Sequence, residues 1–585
     1  MKNRAVAERL REIADFLAIR EVEYKPRAYR TAARNVESLS EPIEDVYDRG
    51  DLQEIEGVGE SIAEKIADYL DTGEMSYYRE LRTDLPIDIE AITSVQGVGP
   101  KTAKRLYLDL DVRTLEDLER AAEAGRIAEL DGFGEKSQAN ILDNIERAKR
   151  GQERMLLGHA FPIARDVERR LDESDAFDRV DTVGSFRRRR PTVGDVDVLA
   201  TATDPEAAME TFCTHGDVSQ VFSRGETGAS VLVGDDLRID LRIVADEEYG
   251  AALVYFTGSK AHNIALRNRA IDRDWKLNEY GLFDVGEARR EASETPRETG
   301  GDDGQRAGER IAGDTEEAVY AALDLAWIPP ELREDTGEID AAAANDLPDL
   351  VATDDVRGDL QCHTDYSDGS HSVREMAVAA DEHGLEYLLV TDHGPEAPIP
   401  STLDADAFDA QRADVEDVNA DDEISVTILQ GIETEITESG LGVPDDWCDR
   451  CDLVVAGLHS RPDEPTERVV RALREAPVDV LAHPTGRLLT ERDPLDLNLD
   501  AVLGTAAEEG VAVEINAQPR RLDLDWQAVA EYRDTADFVV STDAHTTGEL
   551  DFLHLGVAQA RRGWCDASDV LNTRSLDDLR SAFGD

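Results

Sequence analysis

The chain has 585 residues, with 63 lysines and arginines against 128 aspartates and glutamates, so its formal charge is −65. That length is too great for one compact core and predicts roughly three or four domains of about 150 residues each. No apolar run approaches the ~20 residues that span a bilayer, no secretion signal is evident, and the 5 cysteines form no disulfide framework. We therefore expect a cytoplasmic protein with no membrane partner.

The basic residues are mostly arginines, and acidic residues far outnumber them. Arginine outnumbers lysine 54 to 9, and acidic residues are spread over every region. Such a surface repels itself in ordinary buffer, whereas at ~1 M salt the Debye length falls to about 3 Å and screens the repulsion. This composition indicates adaptation to a salt-rich cytoplasm. Two segments are nevertheless locally basic, with nine basic and five acidic side chains in 1–35, and twelve and eight in 147–190. Both favour contact with a polyanion.

Three short repeats occur in the first 150 residues, where apolar spacing predicts short helices separated by glycine. Each has a Gly-apolar-Gly turn before an amphipathic helix: IEGVGESIAEKIADYL from Ile55, VQGVGPKTAKRLYLDL from Val95 and LDGFGEKSQANILDNI from Leu130. Such turns present backbone N–H groups at a helix N-terminus, which suits phosphate. The repeats resemble helix-hairpin-helix motifs, which implies DNA contacts at six glycines: Gly57, Gly59, Gly97, Gly99, Gly132 and Gly134.

The first repeat, GVGESIAEKIADYLDTGE, resembles the lyase-domain hairpin of the family X DNA polymerases, to which polymerase beta belongs. In that family a helix lysine forms a Schiff base with the sugar of an incised abasic site, and the matching residue is Lys65. The resemblance implies that Lys65 is catalytic in a deoxyribose-phosphate lyase reaction. A solvent-facing helix lysine is the alternative, because Glu60 and Ser61 stand where the family has threonine and lysine.

An acidic pair in VGSFRRRRPTVGDVDVLATA is the sharpest motif of the chain. Gly184 and Ser185 open a predicted helix, and Asp195 and Asp197 follow in a predicted strand, whose period of two places both on one side. Two such carboxylates repel each other unless divalent cations lie between them, and a cation pair is the usual device for in-line phosphoryl transfer. Asp240, in the apolar stretch LRIDLRIV, would be costly to bury without a metal or a partner.

This acidic pattern is the nucleotidyltransferase signature, and YFTGSKAHNIALR from Tyr255 resembles the family X segment that receives the incoming nucleotide. The resemblance implies a DNA-directed DNA polymerase in which Asp195, Asp197 and Asp240 are catalytic and bind Mg²⁺ or Mn²⁺. It also implies a site for the triphosphate, sugar, base and template: Gly184, Ser185, Arg188, Gly194, Phe256, Gly258, Asn263 and Arg267. A tRNA-type nucleotidyltransferase would share the acidic pair, but it needs neither the hairpins nor the YFTGS segment.

A charged, glycine-rich stretch interrupts the region that resembles the family X thumb. From about residue 286 to 314 it has no aromatic and few aliphatic residues, which predicts a solvated acidic insertion. The predicted domains are a lyase-like helical domain with the first hairpin, a fingers-like region with the other two, a palm, a thumb, a linker and a barrel: 1–85, 86–154, 155–245, 246–330, 331–355 and 356–585.

Seven apolar runs in the C-terminal half carry His, Asp or Glu near their ends, and predicted helices alternate with them. The runs are DLQCHTDYSDG, YLLVTDHG, VTILQGIETEI, DLVVAGLHS, VDVLAHPTG, VAVEIN and DFVVSTDAH. This pattern predicts a (β/α) barrel, in which the carboxyl ends of the strands share one mouth and these side chains converge. Convergent imidazole and carboxylate groups predict a multinuclear site for Mn²⁺, Zn²⁺ or Fe that hydrolyses phosphodiesters.

The strand-end pattern resembles the polymerase-and-histidinol-phosphatase (PHP) domain of bacterial and archaeal family X polymerases. Eight residues match its metal ligands: His363, Asp368, His393, Glu433, His459, His483, Asp543 and His545. Gln361 stands where the domain has the first His of an H-x-H pair, and its amide oxygen is a weaker ligand. The resemblance implies 3′→5′ exonuclease and abasic-site endonuclease activity, although a PHP barrel can equally hydrolyse small phosphoesters.

Together these patterns predict a multidomain α+β protein with a helical helix-hairpin-helix N-terminal region, a polymerase beta-like nucleotidyltransferase palm and thumb, and a C-terminal PHP (β/α)7 barrel. We expect a monomer that fills short gaps in gapped or nicked double-stranded DNA from deoxynucleoside triphosphates, in base excision repair. Two alternatives remain open. One is a repair nuclease whose polymerase half is only a DNA-binding platform, and the other is a non-catalytic repair scaffold recruited by the hairpins.

Overall fold

A computed structural model describes residues 154–234, 237–286, 306 and 308–583, and much of the chain before residue 143: 25–37, 43–50, 52–55, 58–72, 100–128 and several single residues or short runs. No helix in these described parts is long and apolar enough to cross a membrane.

The secondary structure elements are numbered in chain order. The α-helices are α1 Lys25–Glu37, α2 Ile43–Asp48, α3 Glu60–Thr72, α4 Pro100–Leu110, α5 Leu115–Glu123, α6 Leu157–Asp172, α7 Gly184–Arg187, α8 Pro205–Cys213, α9 Tyr249–Thr257, α10 Lys260–Ile271, α11 Glu316–Ala322, α12 Glu338–Ala344, α13 Val373–Glu382, α14 Ala405–Asn419, α15 Asp445–Cys448, α16 Pro465–Glu475, α17 Leu499–Glu509, α18 Trp526–Tyr532, α19 Leu553–Arg562 and α20 Leu576–Phe583. The β-strands are β1 Met155–Leu156, β2 Arg179–Thr182, β3 Thr192–Val193, β4 Val196–Thr201, β5 Val218–Arg224, β6 Gly228–Val233, β7 Leu237–Ile243, β8 Trp275–Asn278, β9 Gly281–Asp284, β10 Glu309–Ala312, β11 Gly358–Cys362, β12 Tyr387–Val390, β13 Thr427–Thr437, β14 Gly440–Leu441, β15 Leu453–Gly457, β16 Val480–Leu481, β17 Ala512–Asn516 and β18 Phe538–Ser541.

The three N-terminal repeats fold alike at their turns. In each, the N–H of the apolar residue between the glycines donates to the carbonyl oxygen three residues earlier: Val58 to Ile55 at 2.9 Å, Val98 to Val95 at 2.9 Å and Phe133 to Leu130 at 3.0 Å. α3 and α4 begin directly after the first two turns. Apolar side chains from Val6 to Ile141 share one buried cluster, so the hairpins belong to one helical unit.

A five-stranded sheet in the order β2-β4-β7-β6-β5 forms the predicted palm. β4 and β7 are parallel neighbours, whereas the other pairs are antiparallel. Burial alternates along β7, which leaves Arg238, Asp240 and Arg242 on the less buried face, as a period of two requires. Because Asp197 of β4 and Asp240 of β7 are Cα partners, the sheet places these two predicted catalytic residues side by side.

The predicted thumb combines α9 to α11 with an antiparallel sheet in the order β10-β9-β8, and α12 of the predicted linker packs on the same buried cluster. Within the predicted bounds of the acidic insertion, residues 309–312 form β10 and pair with β9, so this part is a strand and not a solvated loop, while the bounds themselves stay a prediction. The four residues of β10 read ERIA, and Ile311 is solvent-exposed, so neither composition nor apolar alternation marked them as a strand. Residues 287–305 and 307 of the predicted insertion lie outside the described residues.

Glu316 ties the thumb to the short helix α7. Its buried carboxylate accepts hydrogen bonds from Arg187 Nη1 at 2.8 Å, Arg187 Nη2 at 2.9 Å, Arg333 Nη1 at 2.7 Å and Trp327 Nε1 at 3.1 Å. Burial by itself would raise the pKa of Glu316, but the guanidinium groups of Arg333 and Arg187 lower it to about 2. The carboxylate therefore stays charged and holds α7 against α11.

Seven parallel strands in the order β11-β12-β13-β15-β16-β17-β18 form the barrel, and β14 adds to β13. A parallel bridge joins Cys362 at the end of the first strand to Ala544 after the last, and His363 N–H donates to Ala544 O at 2.8 Å. These bonds nearly close the sheet on itself. All seven predicted strands are present, which confirms the (β/α)7 prediction.

The barrel packs directly on the polymerase-like region. Leu522 and Leu555 of the barrel join the buried cluster of the palm, and Trp564 packs on that of the thumb. The imidazole of His554 lies on the ring of Phe161, with 4.3 Å between the centroids. The two regions therefore share buried surface, while the domain bounds predicted from the sequence stay a prediction.

Substituting Glu316→Gln is expected to destabilise the thumb by about 3–5 kcal/mol at neutral pH, because Arg333 and Arg187 would lose their buried partner. Hydrogen exchange of peptides covering 309–344 measures this local free energy of opening. Since the pKa of Glu316 is lowered to about 2, the stabilisation is complete above about pH 5 and falls towards pH 2 in the wild type only.

Glu317→Gln is the matched control, because Glu317 is the exposed neighbour on the same helix. Its effect is expected to stay below about 0.5 kcal/mol. Equal exchange protection in the two variants would contradict the assigned role of Glu316.

Candidate active sites

Three carboxylates meet at the centre of the palm sheet. Asp195 lies directly before β4, Asp197 lies within it and Asp240 lies on β7. Burial, followed by the charges of Asp195 and Asp240, raises the pKa of Asp197 to about 7. Burial and the charge of Asp240 also raise the pKa of Asp195. The three groups therefore repel one another, and their oxygens suit divalent cations such as Mg²⁺.

The sequence analysis missed Arg238, which pairs with one of these carboxylates. Arg238 Nε and Nη2 donate to the two oxygens of Asp240 at 3.0 and 2.9 Å. The spacing of Arg238 and Asp240 could have indicated this pair, because residues two apart on a strand share a face. In the described part of the chain, groups of three or more His, Cys, Asp or Glu with ligand atoms within 4.8 Å of one another lie in the barrel, not in the palm. The oxygens of the three palm carboxylates therefore do not all lie within 4.8 Å of one another, unlike the ligand atoms of each barrel group.

The predicted phosphate loop lies directly against this acidic centre. Gly184 has φ +67°, and a Cβ at this position would lie 2.5 Å from Asp197 Oδ2, so only glycine fits. α7 begins at Gly184, and Ser185 is its second residue. The first N–H groups of a helix have no partner within the helix and favour an anion. The loop can therefore bring an anion next to the aspartates.

Arg188 connects the phosphate loop with the end of α9, which carries Phe256. Arg188 Nη1 donates to the carbonyl oxygen of Thr257. Gly258 follows with φ +71°, and a Cβ there would lie 3.1 Å from Arg188 Nη1. The structure thus places Arg188 beside Gly258 at the end of α9, while the predicted triphosphate and sugar contacts stay a prediction. Gly194, directly before Asp195, lies beside Arg154. A Cβ added at Gly194 would lie 3.7 Å from Arg154 Nη1.

Asn263 and Arg267, on successive turns of α10, line one cavity together with Tyr255. Asn263 Nδ2 donates to the carbonyl oxygen of Tyr255 at 2.7 Å. Its Oδ1 is buried without a hydrogen-bond partner among the described residues. A ligand donor would satisfy that oxygen, since buried polar atoms are usually paired. The predicted contact of Asn263 with a base is consistent with this geometry.

Lys65 lies on α3 of the first hairpin. Its Nζ donates to Ser61 O at 2.7 Å and Ser61 Oγ at 2.9 Å, and lies 4.8 Å from the centroid of the Tyr77 ring. Burial lowers the pKa of Lys65, which increases the neutral fraction that can act as a nucleophile.

Two of the predicted DNA-binding glycines are described. A Cβ added at Gly59 or Gly134 would meet no described atom within 4 Å, so both backbones are open to a ligand. The other four lie outside the described residues: Gly57, Gly97, Gly99 and Gly132.

Glu433 of β13 is the centre of the predicted metal cluster at the barrel mouth. Its Oε1 lies 3.1 Å from His459 Nε2 and 2.8 Å from His483 Nε2. Its Oε2 lies 3.3 Å from His363 Nε2 and 3.3 Å from His393 Nδ1. One carboxylate thus contacts imidazoles that follow four different strands, as convergence at a barrel mouth requires.

Two further carboxylates complete the cluster. Asp368 Oδ1 lies 3.6 Å from His393 Nε2, and its Oδ2 lies 3.5 Å from His545 Nε2. Asp543 Oδ1 lies 3.1 Å from His363 Nε2. The ligand atoms form three overlapping groups that could each hold a cation: His363, Asp368, His393 and His545; His393, Glu433 and His459; His363, Glu433 and Asp543. Seven of the eight predicted ligands belong to these groups, and the eighth, His483, contacts Glu433.

Charge in this cluster is shared between carboxylates and imidazoles. Burial would raise the pKa of Glu433, but the charges of His393 and His459 hold it well below its usual range. Burial would likewise raise the pKa of Asp368, which the hydrogen bond from His545 lowers to about 2. Burial opposes protonation of His459, yet the Glu433 carboxylate raises its pKa to about 9, whereas burial lowers the pKa of His393 to about 4. The negative carboxylates and the neutral imidazole of His393 are already metal-ligand forms, whereas His459 would release its proton when a cation binds.

Several buried polar atoms at the mouth lack a partner among the described residues. They include His363 Nδ1, Gln361 Oε1 and Glu514 Oε1. Buried polar atoms normally have hydrogen-bond partners, so unpaired donors and acceptors next to a His and carboxylate cluster fit bound cations. Gln361, the departure from the expected His, stays inside the cluster, with its Nε2 3.5 Å from Asp543 Oδ1.

A second layer of side chains orients the cluster. Glu435 accepts a hydrogen bond from His459 Nδ1 at 2.9 Å, a carboxylate–imidazole pair typical of metal sites. The sequence analysis missed Glu435, although it lies two residues after Glu433 on the same strand. Asp392 accepts from Thr364 N–H at 2.8 Å and from Gln411 Nε2 at 2.6 Å, which supports the loop after β11.

Comparison with known protein families gives four matches along the chain. Residues 1–75 match a helix-hairpin-helix domain and 78–147 a SAM-like helix-hairpin-helix tandem. Residues 252–334 match the DNA polymerase beta thumb, and 359–573 match the PHP domain.

Curated relatives match nearly the whole chain or a part of it. The DNA polymerase/3′-5′ exonuclease PolX of Bacillus subtilis is 32% identical over 566 residues, 95% of this chain and 95% of that protein. DNA polymerase lambda of Rattus norvegicus is 26% identical over 302 residues, 48% of this chain and 49% of that protein. A probable phosphatase of Acetivibrio thermocellus is 33% identical over 167 residues, 27% of this chain and 64% of that protein.

The barrel-mouth geometry predicts that Glu435→Gln weakens metal binding without removing a ligand. Loss of the carboxylate that orients His459 is expected to lower the apparent affinity for Mn²⁺ or Zn²⁺ by about 10–100-fold. Chelator competition, combined with metal analysis of the full-length protein, measures this affinity. Glu438→Gln, an exposed change at the end of the same strand, is the control. Equal affinities in the two variants would show that Glu435 does not support the site.

Proposed function

This chain belongs to the family X DNA polymerases that carry helix-hairpin-helix, thumb and PHP domains, and we propose that it fills short gaps in DNA and trims 3′ ends at a second site. One observation carries the proposal. The palm aspartates lie side by side on neighbouring strands and the barrel ligands converge at one mouth, in a chain that matches a DNA polymerase/3′-5′ exonuclease over 95% of its length. We propose that repair of damaged bases by excision is the setting of this reaction.

In the polymerase reaction, the first turn of α7 and the Arg188 guanidinium bind the incoming triphosphate. Asp195, Asp197 and Asp240 would hold Mg²⁺ or Mn²⁺, which would supply positive charge against the triphosphate and the leaving pyrophosphate. Asp240 is next to the primer 3′-hydroxyl in this arrangement and helps to activate it. The Arg238 guanidinium orients the Asp240 carboxylate through two hydrogen bonds.

In the nuclease reaction, the eight barrel-mouth ligands would hold Mn²⁺, Zn²⁺ or Fe, which would supply a Lewis acid for phosphodiester hydrolysis. Glu433 organises the site, because it contacts four of the imidazoles at once. Glu435 fixes the ring of His459 through Nδ1. Abasic-site cleavage by the same mouth is part of the proposal.

The proposed substrate is gapped or nicked double-stranded DNA with deoxynucleoside triphosphates, bound by a monomer. The three hairpin turns support DNA binding, because their backbones are suited to phosphate and need little positive charge. That property matters in a chain with a net charge of −65, where a diffuse attraction to DNA is lacking.

The test is an extension and shortening assay on a one-nucleotide gapped duplex in high KCl, with Mg²⁺ or Mn²⁺. Asp195→Ala/Asp197→Ala is expected to lower extension by at least about a thousandfold, or about 4 kcal/mol, and to leave shortening unchanged. His363→Ala/His545→Ala is expected to do the opposite.

The outcomes separate the alternatives. A wild type that shortens the primer but never extends it would make the polymerase half a DNA-binding platform. No effect from either pair of substitutions would favour a non-catalytic scaffold.

The environment of Lys65 favours a second activity, deoxyribose-phosphate lyase chemistry, because its pKa is lowered by burial. Borohydride reduction is expected to trap wild-type protein covalently on an incised abasic site. Lys65→Arg is expected to abolish trapping, since a guanidinium cannot form the Schiff base. Lys104→Arg, on the helix of the second hairpin, is expected to trap like the wild type. Undiminished trapping by Lys65→Arg would exclude this assignment.

A further inference from the structure

The last residue of helix α19 in the barrel reaches the nucleotide site of the polymerase half. The side chain of Arg562 is fully buried. Its Nη1 donates to the carbonyl oxygen of Arg188, and its Nη2 donates to Glu334 Oε1 at 3.1 Å. The same guanidinium lies over the ring of Trp526, 4.7 Å from its centroid, which fixes its plane. Arg562 is therefore held rigidly at the junction of the two halves.

Glu334 connects this arginine to Arg188. Its Oε1, which accepts from Arg562, also accepts from Arg188 Nε at 3.2 Å. Arg190 Nη1 approaches the same oxygen at 3.6 Å. The other side of Arg188 is fixed by Nη1, which donates to Thr257 O next to Gly258. Arg188 is thus restrained at its backbone, at Nε and at Nη1, and Arg562 supplies or supports two of these three restraints.

The charge at this junction is unbalanced. Three guanidinium groups, from Arg188, Arg190 and Arg562, surround the single carboxylate of Glu334. Burial lowers the pKa of Arg562 to about 10, so it remains positive at neutral pH. The excess of two positive charges favours an incoming polyanion, and the gain is larger where water is excluded.

We propose that Arg562 of the nuclease barrel is a positioning residue for the polymerase reaction, because it holds Glu334 and the backbone of Arg188 in place for the incoming triphosphate. The inference rests on the proposed function, in which Arg188 binds that triphosphate. It means that the nucleotide site is complete only when the barrel is docked. Because such coupling is reciprocal, a bound nucleotide also stabilises the docked barrel.

The chain provides a matched control on the same helix. Arg561 precedes Arg562 and also crosses the junction, with Nε donating to Glu331 Oε1 at 2.9 Å and Nη1 donating to Val351 O at 3.0 Å. These bonds hold neither Glu334 nor Arg188. Arg561→Met therefore weakens docking to a similar extent while it leaves the restraints on Arg188 intact.

The experiment measures single-nucleotide incorporation by the full-length protein on a one-nucleotide gap. Arg562→Met and Glu334→Gln are each expected to raise KM for the nucleotide about tenfold, the size of one charge-assisted hydrogen bond, with a smaller change in kcat. DNA affinity and primer shortening should stay within about twofold of the wild type, and Arg562→Lys should recover part of the loss. The double variant should be less than additive, since both changes break one chain of contacts.

Equal KM values for Arg562→Met, Glu334→Gln and Arg561→Met would overturn the inference, whether all three match the wild type or all three rise. Glu334→Gln tests the same link if Arg562→Met fails to fold. Arg188→Ala separates this inference from the proposed function. If the wild type does not incorporate nucleotides, or Arg188→Ala leaves KM unchanged, the proposed function fails. If Arg188→Ala raises KM and the other two variants do not, only the role of Arg562 fails.

Discussion

A carboxylate that is removed from water must be compensated by positive charge, because an unpaired buried charge costs several kcal/mol. A chain with 128 acidic residues meets this constraint throughout its fold. The described residues solve it at each functional junction: Asp240 with Arg238, Glu316 with Arg187 and Arg333, Glu334 with Arg188 and Arg562, and Glu433 with four histidines. The same paired carboxylates hold the palm, the thumb and the barrel mouth in position.

The side chains that pair with buried carboxylates are arginines in the polymerase-like half and histidines at the barrel mouth. The difference follows from side-chain chemistry. A guanidinium stays charged and binds a carboxylate through two donors, so an arginine junction is permanent. An imidazole can lose its proton and become a metal ligand, so the histidine cluster around Glu433 can exchange protons for cations. The 54 arginines and 9 lysines agree with this use of arginine in structural junctions. Adaptation to a salt-rich cytoplasm stays a prediction from composition.

The contact between the two halves gives the fused chain a physical consequence. Helix α19 of the barrel ends at Arg562, whose guanidinium donates hydrogen bonds to the carbonyl oxygen of Arg188 and to Glu334. The two active sites are therefore parts of one packed body in the described residues. Any motion that separates barrel from palm would expose Glu334, Trp526 and the apolar contacts of Leu522 and Leu555 to water. That cost favours the docked arrangement during nucleotide binding.

The sequence by itself determined the features that depend on spacing over a few residues. The hairpin turns, the Asp195–Asp197 alternation and the seven strand ends were all readable, because turn chemistry and strand period are local. Only the tertiary structure decided which charged groups meet. Glu435 and His459 are 24 residues apart, and Arg562 and Glu334 are 228 apart. The partner of a charged side chain depends on how helices and strands pack together. The helix or strand period in the sequence does not predict that packing.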